Sequence, residues 1–525
     1  MMQVLIRVDA SHLLGTGHVM RCIALADELV RRGCRVTFAM CELTGHLIAE
    51  VEARGYTVLR WTAPWLEAAT SQQVWIAHAQ TSLAQEADAT CLVRAAQSVA
   101  TTWDWLVVDH YALDAQWHRA VRPLARKILV IDDLADRPLH CDMVLNHNVG
   151  ADAASYARHL PSDCLTMMGA NFGLLRQEFS LTGDEADSAT DGNTGGAIRI
   201  LVSLGGTDAT GLNLVVAEVL GNFGLRGDAV TIVAGMRNVH TEPLQKLCAQ
   251  FGFTYLASTQ AMAQLLAQAD VAVGAGGVSM LERFALRVPS IVLPIVANQF
   301  PGAQAAAACG AVLLVDPASA GFRAELSDAL KLIFADARLL RSMSERGRAL
   351  CDAKGARRVV DAMQVHALEL RLAAQDDARS LYEWRNAPQT RAHSGNAQEI
   401  AYADHCQWLS KLLNDDSRRL WIAFTLDGPV GVLRFDLANG GGTSSAVVSV
   451  YRVPDRTGLG WGRALIARGM LEAQSIWPAL THVDAHISDD NLASGRAFAA
   501  CGFVRLQVDD NGHSASLSTH RKVLA

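Results

Sequence analysis

One pattern constrains this chain more than any other. Over roughly its first 360 residues a short apolar run, a turn and an amphipathic stretch recur in that order. Runs this short, bounded by turn residues, read as buried strands. Their alternation with helical stretches predicts parallel sheets covered by helices, an α/β class. VLIRV (4–8), WLVVDH (105–110), KILVIDD (127–133) and DMVLNHN (142–148) are the first such runs, with a helix expected over Val19 to Arg31. Residues 181–196, LTGDEADSATDGNTGG, break the pattern and have the small, acidic, Gly-rich composition of a linker. A second series begins at IRILVSLGG (198–206) and runs through VTIVAG (230–235), DVAVGAGG (270–277) and SIVLPIV (290–296). The expected organisation is therefore two α/β halves, 1–180 and 197–366, joined by the linker 181–196. A ligand cleft is expected at the carboxyl ends of the strands.

A third unit is expected over 367–525. LELRLAAQDDARSLYEWRN reads as strand, turn and helix; LWIAFTLDGPVGVLRFDL as a strand pair; AVVSVYRVP as a further strand before a Gly-rich loop and helix. Half of the residues are hydrophobic and 19% are charged, enough to build several cores. The net charge of -7 argues against a nucleic-acid partner. Eleven scattered cysteines form no CxxC pair, as in a reducing compartment. The start, MMQVLIRVDA, lacks the regions of a signal peptide, and no apolar run reaches membrane-spanning length. A cytoplasmic location follows as the expectation. Neither HExxH nor an Asp-x-Asp pair occurs, so no metal is expected.

Gly15-Thr16-Gly17-His18 lies between the first strand and the first helix. Glycines let backbone approach a ligand, and a helix start offers free N–H groups. A His there faces the positive end of the helix dipole, which favours an uncharged imidazole able to take a proton. The same four residues also fit a tight turn with a solvated His.

The stretches RVDASHLLGTGHVMRC, VVDHYALD (107–114) and IDDLADRPLHCDMVLNHN (131–148) together resemble the UDP-2,4-diacetamido-2,4,6-trideoxy-β-L-altropyranose hydrolases of pseudaminic acid biosynthesis, over roughly residues 1–366. Those hydrolases are similar in fold to the UDP-GlcNAc transferase of peptidoglycan synthesis, so the resemblance implies two Rossmann-like halves of GT-B type. It puts the family's catalytic His on His18, an active-site Tyr on Tyr111 and a further catalytic residue on Asn298, with Gly17 among the UDP-binding residues. Asp9 is on the loop side of His18 and is a candidate to orient it. Asp109 and Asp132 equally fit helix or turn caps. In SLGGTDATGLNL (203–214), Gly205, Gly206 and Thr207 form a turn before a helix, suited to a diphosphate. GAGGVSMLERFAL (274–286) repeats that layout with Gly276, Gly277, Ser279 and Glu282; the resemblance gives Glu282 the ribose hydroxyls of UDP. Asn298 and Gln299 match the family's Asn-Gln near the sugar. The implied chemistry is inverting hydrolysis, with His18 activating water and UDP leaving. A glycosyltransferase differs only in admitting an acceptor hydroxyl, which fold alone does not decide.

In PDRTGLGWGRALIAR (454–468), a strand, a Gly loop and a helix resemble the acetyl-CoA motif of the GNAT fold, an α+β domain. DAHISDDNLASGRAFAACGF resembles the family's N-x-x-S helix and closing Gly-Phe, and LYEWRN (381–386) its sugar-modifying branch, which acetylates the 4-amino group of the same UDP-sugar. The resemblance assigns acetyl-CoA to Arg456, Gly458, Gly460, Gly462, Arg463, Asn491 and Ser494. Three departures stand out. Thr457 replaces an Arg or Gln, Phe498 replaces the usual acid Tyr, and VVSVYRV carries no Glu. His486 is a weaker acid–base candidate than a satisfied strand histidine. The expected protein is a bifunctional hydrolase and N-acetyltransferase with small-molecule substrates and other enzymes of the same pathway as partners. The alternative is a GT-B glycosyltransferase with a degenerate GNAT-like binding domain.

Overall fold

The computed structural model describes residues 2–63, 66, 71–100, 102–180, 198–206, 208, 210–235, 238–393, 398–438, 444–454, 460–506 and 517–524. The expected linker 181–196 lies outside the described residues. Among them the chain forms three sheets. The first contains β1 (Gln3–Val8), β2 (Arg35–Cys41), β3 (Thr57–Trp61), β4 (Trp103–Asp109), β5 (Ala125–Ile131), β6 (Met143–Asn146) and β7 (Leu165–Met168). Their order is β3-β2-β1-β4-β5-β6-β7. The chain moves outward from β1 on one side, then returns to place β4 on the other. β1 and β4 therefore flank the point where strand order reverses, where open α/β sheets hold their ligands. They pair in parallel with Val8 opposite Asp109, so the loops leaving both strands emerge side by side.

The second sheet repeats this logic. β8 (Ile200–Ser203), β9 (Val230–Val233), β10 (Thr254–Leu256), β11 (Val271–Ala275), β12 (Ser290–Leu293) and β13 (Val312–Leu314) lie in the order β10-β9-β8-β11-β12-β13. All its paired strands run parallel, and its reversal lies between β8 and β11. Strand side chains alternate between faces. Val202, Val273 and Ile291 accordingly join one buried cluster, and Leu201, Ala272 and Val292 another. Burial on both faces explains why these strands read as unbroken apolar runs rather than alternating ones.

The third sheet is mixed: β14 (Glu369–Leu372), β15 (Arg418–Thr425), β16 (Gly428–Ala438), β17 (Ser444–Arg452), β18 (Leu480–Ser488), β19 (Val504–Arg505) and β20 (Leu517–Val523), in the order β14-β15-β16-β17-β18-β20-β19. β17 and β18 pair in parallel; the other ladders are antiparallel. The fold is thus two Rossmann-like α/β halves followed by an α+β domain built on a mixed sheet. By packing, the chain divides into two compact units. One comprises residues 4–28 and 36–359, with both parallel sheets. The other comprises 1–3, 29–35 and 360–525.

Candidate functional sites

The first site is built where β1 and β4 end. Gly15 has φ +76°, a left-handed conformation that suits glycine, and it turns the chain into the helix Gly17–Arg31. That turn sets His18 in the first helical turn, largely buried. Its Nδ1 lies 2.6 Å from Oδ1 of Asp109, the last residue of β4. A carboxylate can only accept, so Nδ1–H donates to Asp109; in the neutral ring Nε2 is then the nitrogen that can take a proton. Arg21, one turn further along the helix, clamps the same carboxylate from the other side. Its Nε donates to Oδ2 and its Nη2 to Oδ1, both at 2.6 Å. Burial by itself raises the pKa of the Asp109 carboxyl, but the Arg21 guanidinium and His18 outweigh it and hold the group well below the usual carboxylate range. Asp109 is therefore a fixed anion that orients His18.

Tyr111, two residues beyond Asp109, meets His18 edge-on with ring centroids 4.5 Å apart. Its hydroxyl donates to Asp133 Oδ2 at 3.2 Å and accepts from Asn298 Nδ2 at 3.0 Å. Burial and the neighbouring Asp133 raise its pKa, so the phenol stays neutral. His18, Tyr111 and Asn298, which are far apart in sequence, are thereby brought into one cluster.

Asp9 does not orient His18, contrary to expectation. Its Oδ2 accepts from Arg7 Nη2 at 2.7 Å, and its Oδ1 accepts from the Cys41 amide at 2.7 Å. It balances Arg7, a wholly buried cation on β1 that also bonds Asp88 at 2.6 Å. A buried charge left unpaired costs several kcal/mol, so Asp9 is committed to Arg7. The orienting residue is Asp109, first read as an equal candidate for a cap. Asp132 does serve its loop: it accepts from the amides of Leu134 and Ala135 and pairs with Arg137 at 2.7 Å. Arg21 escaped notice because a lone Arg inside an amphipathic helix carries no motif.

The second group of residues surrounds the reversal between β8 and β11. Gly205 and Gly206 follow β8, Gly276 and Gly277 follow β11, and Asn298 and Gln299 follow β12. Thr207 lies outside the described residues. The first amides of the helix Leu212–Asn222 are already capped, which leaves the Gly205-Gly206 backbone as what that loop offers a diphosphate. Asp208 accepts from Leu212 N at 2.7 Å and Asn213 N at 3.0 Å. The helix Val278–Ala285 differs, because Gly277 at its N-cap offers no side-chain acceptor. Its first turn, which includes Ser279, therefore has no side-chain cap on its amides. Gln299 braces that loop, its Oε1 accepting from Gly276 N at 3.2 Å and Ile295 N at 3.0 Å. Glu282 sits on the same helix with Arg176 at 3.8 Å. Burial pushes its carboxyl up to about 7, and the nearby arginines only partly oppose this.

In the third sheet the β17–β18 ladder ends at Val447–Asp484, while β17 continues to Arg452 and β18 to Ser488. Gly460, with φ +101°, starts the helix Trp461–Ile476 without a side-chain cap. Gly462 and Arg463 lie in its first turn, and Arg463 pairs with Asp361. Arg456 and Gly458 lie outside the described residues. Asn491 caps the helix Leu492–Ala500, its Oδ1 accepting from Ser494 N at 3.0 Å. Phe498 is buried edge-on against Phe503, so this position supplies no hydroxyl. His486 is exposed and contacts Thr519 Oγ1 at 3.2 Å, as a strand histidine does.

Comparison with known proteins finds relatives of separate parts of the chain. Residues 378–503 match the acetyltransferase (GNAT) family. Over 246 residues the chain is 26% identical to the UDP-2,4-diacetamido-2,4,6-trideoxy-beta-L-altropyranose hydrolase of Campylobacter jejuni, covering 47% of this chain and 74% of that protein. It is 30% identical over 168 residues to the spore coat polysaccharide biosynthesis protein SpsG of Bacillus subtilis, covering 32% of this chain and 50% of that one. Among solved structures, MurG of Acinetobacter baumannii aligns with 69% of this chain and 99% of its own at 17% identity and a TM-score of 0.49. Among the described residues no helix is long and apolar enough to cross a membrane, and no group of three or more His, Cys, Asp or Glu is placed to hold a metal ion.

Proposed function

We propose that this chain, whose N-terminal region is homologous to a UDP-diacetamido-trideoxy-altropyranose hydrolase and whose C-terminal region carries a GNAT domain, is a bifunctional nucleotide-sugar enzyme. In this reading the acetyltransferase transfers an acetyl group from acetyl-CoA to the 4-amino group of a UDP-sugar. The hydrolase then releases UDP and the free 2,4-diacetamido-2,4,6-trideoxy-β-L-altropyranose. The observation that carries the hydrolytic half is the His18–Asp109–Arg21 network. Asp109 holds the Nδ1–H, so Nε2 accepts a proton from water as the water attacks the anomeric carbon opposite UDP. UDP leaves as an anion stabilised at the start of the Val278–Ala285 helix. Tyr111 and Asn298, hydrogen-bonded to each other, are placed to position the sugar. Glu282 accepts from the ribose hydroxyls, and Gly205, Gly206, Gly276, Gly277 and Ser279 lend backbone to the diphosphate.

For the acetyltransferase half, the Gly460–Arg463 helix start is the seat of the acetyl-CoA pyrophosphate, with Gly462 at its first turn. Acyl transfer from a thioester to an amine is driven largely by holding the two together, so a buried Phe498 does not abolish it. That same Phe498 favours the second reading, a GT-B glycosyltransferase carrying a GNAT domain that only binds. The test is to incubate the protein with the UDP-4-amino-sugar and acetyl-CoA while following free CoA and UDP separately. CoA release followed by UDP release supports the bifunctional enzyme. UDP release that requires a sugar acceptor, with no CoA release, supports the alternative.

A further inference from the structure

The acetyl-CoA seat does not end where the acetyltransferase sequence does. Arg463, in the first turn of the helix Trp461–Ile476, has its guanidinium on the carboxylate of Asp361. Asp361 belongs to the helix Gly355–Ala367, outside the family match over 378–503. The other oxygen of that carboxylate accepts from Arg32 Nη2 at 3.0 Å. Arg32 Nη1 donates in turn to Gln364 Oε1 at 3.1 Å. Asp361 and Gln364 are three residues apart on one helix and so share a face. All three of Arg32, Asp361 and Gln364 are more than 90% buried.

This cluster presses on the loop as well as on Arg463. A Cβ built on Gly460 would collide with Arg32 Nη1 and Gln364 Oε1, closer than real Cβ atoms approach anything. Gly460 is thus fixed twice, by its φ and by these neighbours. Two guanidinium groups beside the positive end of a helix repel one another, and the shared carboxylate holds both in place. Their fixed charge faces the chemistry expected of an anionic pyrophosphate.

We propose that Asp361 and Arg32 are positioning residues of the acetyl-CoA site, setting Arg463 and the Gly460 helix start for the phosphates of the cofactor. This rests on reading Gly460–Arg463 as the acetyl-CoA seat. Arg32 follows directly on the helix that begins with Gly17 and His18. On this reading the acetyl-CoA site draws on Arg32 and Asp361, both outside the family match, and both lie in the same compact unit as Arg463.

The test uses full-length protein and two ligands, acetyl-CoA and acetyl-pantetheine, which share the thioester arm but not the phosphates. Wild type, Asp361→Asn and Arg32→Lys are compared by calorimetry or competition. Asp361→Asn is expected to weaken acetyl-CoA about tenfold or more, and Arg32→Lys to weaken it less, since the charge is kept and only the fork is lost. Acetyl-pantetheine is expected to bind all three alike. Loss of affinity for both ligands in equal measure overturns the proposal in favour of general unfolding. So does unchanged acetyl-CoA affinity in both variants while wild type binds. If Asp361→Asn does not fold, Arg32→Lys decides alone. Failure of wild type to bind acetyl-CoA instead removes the underlying site.

Discussion

The site at the end of β1 and β4 and the site at the Gly460 helix start differ in how much acid–base chemistry is already assembled. In the first, a histidine, a buried carboxylate and an arginine converge within hydrogen-bond distance, with His18 Nδ1 held on Asp109. In the second, the position expected to carry an acid is a buried Phe498, and His486 is turned to solvent. Activating water requires a base held in one protonation state and one direction. Moving an acetyl group from a thioester to an amine requires mainly that both be held close. The contrast teaches that the two candidate sites differ in proton machinery in the way that the two proposed reactions differ in need.

The comparison breaks most sharply at His18. His18→Ala is expected to lower UDP-sugar hydrolysis by on the order of 10²-fold or more while leaving UDP affinity near wild type, as measured by UDP release and calorimetry. Retained turnover would mean that the first site is no more committed to proton transfer than the second. Asp109→Asn keeps the shape but frees the imidazole tautomer and leaves Arg21 short of an anion. A fall in kcat of roughly tenfold to a hundredfold, with KM little changed, is the expected kinetic signature of lost orientation.

Glu282 sharpens the comparison on the binding side. Its carboxyl titrates at about 7 in the free protein, and only the ionised form accepts two hydrogen bonds without giving up a lone pair to a proton. UDP affinity is therefore expected to rise as pH increases through about 7, over and above the ligand's own titration. Glu282→Gln should weaken binding by about 1.5–3 kcal/mol and remove that increment. Calorimetry at pH 6 and pH 8 on both proteins isolates it, and parallel pH profiles would dismiss Glu282 as the ribose reader. The smallest effect is expected in the third sheet. Asn491→Ala removes the cap on Leu492–Ala500 and should cost roughly 1 kcal/mol of stability, seen as a lower Tm, whereas Asn491→Asp should retain it. A large loss of acetyl-CoA affinity from Asn491→Asp would instead give the amide a direct role in the cofactor site.

Much of this was legible in the sequence because local chemistry leaves local marks. Strands buried on both faces are largely apolar, so β1, β4, β5, β6, β8, β9, β11 and β12 announce themselves as runs. A tight turn into a helix with positive φ suits glycine, so Gly15, Gly277 and Gly460 mark the three loops proposed as ligand-binding. β10 and β13 have three residues each, too few to show a period, and β3 is an edge strand that is only part-buried, so all three emerge only through pairing with neighbours.

Tertiary structure alone decided which charges belong together. Asp9 is nine residues from His18 and Asp109 is ninety-one away, yet the parallel register that sets Asp109 opposite Val8 gives the distant residue to His18. Asp9 is claimed by Arg7, whose burial on β1 demands an anion nearby. The same holds for Arg32, Asp361 and Arg463, three residues from distant segments that no spacing rule connects. Sequence determines which residues are capable of a role through their chemistry and the turn or helix they begin. Partnership between charges falls off within a few ångströms in a solvated chain, so only the packed fold, by removing water around them, settles which pairs form and which capable residues act.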